Sequence, residues 1–118
     1  MTRDETIDAL RQALGRDQTL HWLCQLIREW NSIQGFKCEW ENVPEKLMLI
    51  VTELAEAMEV YRTKEPTGAD IVHFEEELAD TAIRLFDLCG GLGIDLRKAI
   101  ASKMEKNFQR PYLHGRRC

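Results

Sequence analysis

The spacing of apolar residues constrains the fold more than any other feature, because it follows a helical period along nearly the whole chain. No segment shows sustained alternation of apolar and polar residues, so strands are not expected. We predict five helices, over residues 4–14, 19–34, 44–64, 70 or 73 to 89, and 95–107. Glycines at 15, 35 and 90–91 mark predicted helix ends. Short connections predict an all-α fold, an antiparallel helical bundle of about four to five helices.

The third helix defines the predicted core. Asn42 followed by Pro44 indicates its start, with proline in the first turn, and Asp95 is the expected N-cap of the fifth helix. The main apolar stripe of the third helix is predicted to face the core, and its residues are Leu47, Ile50, Val51, Leu54 and Met58. A chain of 118 residues fits one domain, residues 1–118.

Composition excludes several classes of protein. The net charge is −4 and the pI about 5.4, which argues against nucleic-acid binding, and the basic segment 110–118 is interpreted as a solvated end. No run approaches the roughly 20 apolar residues of a membrane span, and the N-terminus lacks a secretory signal. We therefore expect a cytoplasmic protein with no membrane partner. The four cysteines form no C-x-x-C pair, so neither a disulfide framework nor zinc is expected.

Two pairs of acidic residues carry the candidate chemistry. Glu53 and Glu56 lie three residues apart on the third predicted helix, and Glu77 and Asp80 have the same spacing on the fourth. Residues three apart lie about 60° apart around a helix, so each pair can share one ligand. If the two helices are antiparallel neighbours, the pairs can face one another.

Most acidic helix stretches are simply solvated faces, and this alternative stays open for the four acids. Against it, apolar residues lie between the acids on the helical wheel: Leu49 and Val60 on the third helix, and Ile83 beside Asp80 on the fourth. We interpret this second, partly apolar face as a lined cleft or an oligomer contact.

The four carboxylates favour a hard cation. Carboxylates about 5 Å apart repel by roughly 3 kcal/mol per pair at an effective dielectric of 20. Oxygen ligands together with waters and substrate phosphates are a usual magnesium arrangement. A di-iron bundle would want Glu-x-x-His motifs, and the chain has none. Spacing alone leaves the metal site and the solvated face equally open.

The order Glu53-x-x-Glu56 and Glu77-x-x-Asp80 resembles the signature of the MazG-like all-α nucleoside triphosphate pyrophosphohydrolases. Relatives of that group include dimeric dUTPases, dCTP pyrophosphatases and phosphoribosyl-ATP pyrophosphohydrolase. The resemblance covers roughly Trp30 to the C-terminus and includes the run Lys-x-x-x-Asn-x-x-Arg-Pro-Tyr at 103–112. Residues 1–18 match no part of it and would form a variable N-terminal helix.

The resemblance implies roles for individual residues. Glu53, Glu56, Glu77 and Asp80 would hold Mg²⁺, with Mn²⁺ as a substitute, and would be the catalytic residues. The substrate-binding residues would be Lys103 at phosphate, Asn107 at sugar or base, and Arg110 and Tyr112 closing the pocket. The substrate would be a nucleoside triphosphate cleaved to the monophosphate and pyrophosphate, in keeping with house-cleaning of the nucleotide pool. Homodimers or homotetramers are expected.

The mechanism expected from the residues is metal-assisted hydrolysis. Glu56 is the candidate general base, although spacing does not separate the roles of the four acids. Two alternatives remain open. One is a non-catalytic acidic helical oligomer that binds a partner or metal, and the other is an enzyme acting on phosphoribosyl-ATP. Neither the preferred base nor the preferred sugar follows from the sequence.

Overall fold

The computed structural model describes residues 1–111, which form helices and no strand. The helices are α1 (Arg3–Arg16), α2 (Thr19–Ile33), α3 (Val43–Tyr61), α4 (Gly68–Leu92) and α5 (Leu96–Phe108), with a single 3₁₀ turn at Trp40–Asn42 between α2 and α3. The all-α prediction is confirmed. Within this part of the chain, no helix is long and apolar enough to cross a membrane.

Local capping interactions explain where the helices begin. Asp95 accepts a hydrogen bond from the Lys98 backbone N–H at 3.1 Å, as expected of an N-cap, and Pro44 lies in the first turn of α3. The predicted start of α4 at residue 70 or 73 was wrong. Thr67 and Asp70 form a reciprocal capping box, which begins the helix at Gly68.

The ends of α1, α3 and α4 also differ from the prediction. α1 continues through Gly15 to Arg16, and α3 ends at Tyr61 rather than near residue 64. Gly90 and Gly91 do not close α4, which continues to Leu92 and ends at Gly93 in the left-handed region (φ 69°). The two glycines serve close packing instead. A Cβ on Gly91 would lie 2.3 Å from Cys38 Sγ, and one on Gly90 would lie 2.5 Å from the Cys24 carbonyl oxygen.

The chain divides into two compact units. One comprises residues 1–22 with the chain from Ile94 onward, and in it α1 packs on α5. Arg11 of α1 pairs there with Glu105 of α5 at 2.7 Å and lies over the Phe108 ring. The other unit, residues 23–93, contains α3 and α4, which pack extensively on each other as a helical hairpin. The prediction of one domain for the whole chain stays a prediction.

The predicted core stripe of α3 was wrong. Ile50 is half-buried, but Leu47, Val51, Leu54 and Met58 are between 46% and 52% exposed. The buried residues of α3 are Glu53 and Ala57. Small Ala57, one turn after Glu53, belongs to the face that packs on α4, and the broader apolar stripe is left open.

Candidate functional site

Three of the four predicted acids come together between α3 and α4. One carboxylate oxygen from each of Glu53, Glu56 and Glu77 lies within 4.8 Å of the others. Glu53 and Glu77 are 8% and 7% exposed, and Glu56 is exposed. Buried carboxylates are rare unless they are paired or hold a cation, so this cluster is unlike the solvated acidic face of an ordinary helix.

Asp80 is exposed and is not a member of this three-carboxylate group. It lines a neighbouring cavity of about 440 Å³. The cavity is lined by acids, cations, an amide and apolar side chains, which are Asn31, Phe36, Glu45, Lys46, Leu49, Glu53, Asp80, Ile83, Arg84 and Asp87. Leu49 and Ile83 were the apolar residues that the helical wheel placed beside the acids. They line the cavity here, and the alternative of an oligomer contact for that face stays a prediction.

Two basic side chains bond the buried acids. Arg84 donates from Nε to Glu53 Oε1 at 2.9 Å, and His73 Nε2 lies 2.9 Å from Glu77 Oε1. The second oxygen of Glu77, Oε2, is buried and has no hydrogen-bond donor. A buried carboxylate oxygen without a donor needs a proton or a cation.

The pKa values of the two buried acids move in opposite directions. The hydrogen bond from Arg84 is the main reason that the pKa of Glu53 is lowered. Hydrogen bonds that Glu77 can donate to Glu53 and Glu56 only when it is protonated are the main cause that raises the pKa of Glu77 to about 7, aided by burial and repulsion from Glu56. His73 opposes this rise. The cluster therefore has one firmly ionised carboxylate and one that holds a proton near neutral pH.

A buried ion-pair centre, which the sequence did not reveal, adjoins the cavity. Asp87 of α4 lies 3.1 Å from Arg28 Nη1 of α2 and 3.9 Å from Lys46 Nζ of α3. The side chain of Asp87 is 5% exposed, those of Arg28 and Lys46 about 15% and 14%. Arg28 also donates to the backbone carbonyl of Phe36. This centre joins the three helices and the connecting segment that line the cavity.

Some of the residues that form these ion pairs could be identified as candidates from the sequence. Arg84 and Asp87 share a helix face with Glu77 and Asp80, which left them open as orienting groups or as oligomer contacts. His73 precedes Glu77 by four residues, a spacing that brings side chains together on a helix. Arg28 and Lys46 come from other elements, and no spacing within one helix could identify them.

The predicted substrate-binding residues lie in the other unit, and Tyr112 lies outside the described residues. Lys103 is exposed on α5, and Arg110 is exposed just beyond its end. Asn107 is half-buried, donates from Nδ2 to Met104 Sδ at 3.8 Å, and leaves Oδ1 buried without a partner. Their roles stay predictions.

The donor set fits a hard divalent cation. Three carboxylate oxygens lie close enough to converge on one ion, and the buried Glu77 Oε2 lacks another partner. Oxygen donors of this kind suit Mg²⁺ or Mn²⁺.

No protein-family model matches the chain, and no curated protein or solved structure is significantly similar to it. Membership of the MazG-like group therefore stays a prediction from the residues themselves.

Proposed function

We propose that the protein is a magnesium-dependent nucleoside triphosphate pyrophosphohydrolase. The observation that carries the proposal is the group formed by Glu53, Glu56 and Glu77, whose oxygens lie within 4.8 Å although two of the residues are buried. Like charges in such a place are costly unless a proton or a cation offsets them. The resemblance of these positions to the MazG-like signature supports a nucleoside triphosphate as the substrate and a monophosphate and pyrophosphate as the products.

The metal site would be held by Glu53, Glu56 and Glu77, with Asp80 close by in the adjoining cavity. Magnesium bound there would offset phosphate charge and lower the pKa of a coordinated water. Manganese has the same preference for oxygen ligands and would substitute for it.

The chain's own residues divide the remaining work. Before a cation binds, Arg84 keeps Glu53 ionised, and His73 fixes one oxygen of Glu77. Glu56 is the exposed member of the group, so its carboxylate is open to the water that it would deprotonate as general base. The adjoining cavity, at about 440 Å³, has a size typical of small-molecule sites.

Exposed apolar side chains support a homodimer or homotetramer. Among residues 1–111 the buried apolar side chains are few and mostly small: Cys24, Ala57, Leu88 and Cys89. Large apolar residues along α2 and α3 remain open, including Trp22, Trp30, Val51 and Leu54. Apolar surface of this kind usually marks an interface.

Magnesium-dependent release of pyrophosphate from a panel of canonical and modified nucleoside triphosphates tests the proposal. The panel includes phosphoribosyl-ATP, which separates that sister activity from the proposed one. Turnover should require Mg²⁺ or Mn²⁺ and stop in excess chelator.

Glu53→Ala should lower kcat/KM by more than about a hundredfold, since even outer-shell changes at metal sites cost 10- to 100-fold. Glu76→Ala is the matched control, because Glu76 is an exposed acid one residue from Glu77 and outside the carboxylate group. Helix content by circular dichroism establishes that both variants fold. Full activity in Glu53→Ala, or in excess chelator, would refute the metal site. If no nucleotide is turned over, the alternative function, a non-catalytic acidic oligomer, would be favoured.

A further inference from the structure

Glu53 serves two positive partners. Its Oε1 accepts a hydrogen bond from Arg84 Nε at 2.9 Å, and the same carboxylate belongs to the group that would bind a divalent cation. A guanidinium and a divalent cation on one carboxylate repel each other, strongly so in a partly buried place. The Arg84–Glu53 ion pair and cation binding at Glu53 are therefore antagonistic.

Arg84 has space to leave Glu53. Its side chain is 39% exposed, whereas that of Glu53 is 10% exposed, and Arg84 lines the 440 Å³ cavity beside the carboxylates. Arg28 provides the contrast within the same unit. It is 15% exposed and is held by both Asp87 and the carbonyl of Phe36. Arg84 is thus the arginine with room to turn into the cavity.

A phosphate is a suitable second partner for Arg84. The guanidinium has five N–H donors in a planar fork, which matches two oxygens of one phosphate group. The other acids on the cavity wall compete little for it. Asp87 is already paired with Arg28 and Lys46, and Glu45 and Asp80 are exposed to solvent.

We propose that Arg84 changes partner during binding. It balances the charge of Glu53 while that carboxylate holds no cation, and it binds a phosphate of the nucleotide in the cavity when Glu53 serves as a metal ligand. This inference rests on the proposed function, and it assigns phosphate binding to a residue outside the predicted substrate-binding set.

The exchange predicts opposite effects of one substitution. Arg84→Met removes the competitor for Glu53, so Mn²⁺ alone should bind about tenfold more tightly. The same variant loses its phosphate contact, so inorganic triphosphate should bind about tenfold more weakly at saturating Mn²⁺. Arg84→Lys keeps the positive charge without the fork. It should bind Mn²⁺ nearly as the unsubstituted protein does and should still bind triphosphate more weakly.

The experiment measures Mn²⁺ binding by electron paramagnetic resonance and triphosphate binding by calorimetry, near pH 8.5, above the pKa of about 7 of Glu77. Arg62→Met is the matched control. Arg62 also pairs with a glutamate of α3, Glu59, at 3.0 Å, but both side chains are about 70% exposed. Neither affinity should change in this control.

The outcomes separate this inference from the proposed function. Tighter Mn²⁺ and weaker triphosphate in Arg84→Met would support the partner change. Unchanged Mn²⁺ affinity, or weaker binding of both ligands in a folded variant, would overturn it and leave Arg84 as a structural ion pair. If the unsubstituted protein binds no Mn²⁺ at millimolar concentration, the metal site fails, and the partner change fails with it.

Discussion

Asp87→Asn tests whether the buried ion-pair centre holds the cavity together. The substitution keeps the shape of the side chain but removes the charge that faces Arg28 at 3.1 Å and Lys46 at 3.9 Å. All three side chains are at most 15% exposed, so water cannot replace the lost carboxylate well. Removing one partner of a buried pair typically costs about 3–5 kcal/mol. We expect about 3 kcal/mol here, since the amide retains one hydrogen-bond acceptor for Arg28.

Glu59→Gln is the matched control for Asp87→Asn. It makes the same kind of change at the Glu59–Arg62 pair, whose N–O distance is 3.0 Å but whose side chains are 71% and 69% exposed. Exposed pairs contribute about 0–1 kcal/mol, so the two substitutions should differ by at least about 2 kcal/mol. The N–O distances of the two ion pairs are nearly equal, so the expected difference in stability comes from their difference in burial.

Urea unfolding measures both effects. With an m-value of about 1.5 kcal/mol/M, Asp87→Asn should lower the midpoint by roughly 2 M, and Glu59→Gln by less than about 0.7 M. Both are measured at one protein concentration, because assembly changes the apparent stability of an oligomer. A loss below about 1 kcal/mol in Asp87→Asn would refute the reasoning, since the centre would then be no stronger than a surface pair.

Three further predictions follow from single residues. Gly91→Ala should destabilise the protein by about 2 kcal/mol in urea, because a Cβ there meets Cys38 Sγ at 2.3 Å, whereas Gly68→Ala, with nothing within 4 Å, should not. The pKa of Glu77 is raised from 4.5 to about 7, so its contribution to the free energy of unfolding should fall as pH rises between these values. Glu77→Gln should remove that fall, and identical pH profiles of the two proteins would contradict the prediction. Leu54→Glu should dissociate the proposed oligomer in sedimentation experiments, since Leu54 is 48% exposed on the open stripe of α3. If the unsubstituted protein is already a monomer at micromolar concentration, the proposed interface is contradicted.

The carboxylate group could be predicted in part because it depends on spacing within a helix. Residues three apart converge whenever the helix forms, so Glu53 and Glu56 required only the correct period. That Glu77 joins them while Asp80 faces the cavity depends on how α3 and α4 pack, and helical spacing does not specify it. The ion pairs of Arg28 and Lys46 with Asp87 are long-range contacts and have no local signal.

The errors at the two ends of α4 have different physical origins. Glycine has a low helix propensity, but Gly90 and Gly91 lie where Cys24 and Cys38 approach α4 closely. Packing therefore keeps the helix intact where propensity would end it. Thr67 extends α4 at the other end, because its capping box with Asp70 offsets the poor propensity of Gly68.

The inverted burial of α3 relates the site to assembly. Glu53 and Ala57 occupy the face toward α4, and Leu54, adjacent in sequence to Glu53, lies on the open apolar stripe. A helix that buries Glu53 and exposes most of its large apolar side chains gains little from the hydrophobic effect as a single chain. Covering the stripe with a second copy would provide that stabilisation and would hold Glu53 in place against the repulsion from Glu56 and Glu77. Cation binding and assembly should therefore favour each other, because each offsets a different cost of the same helix.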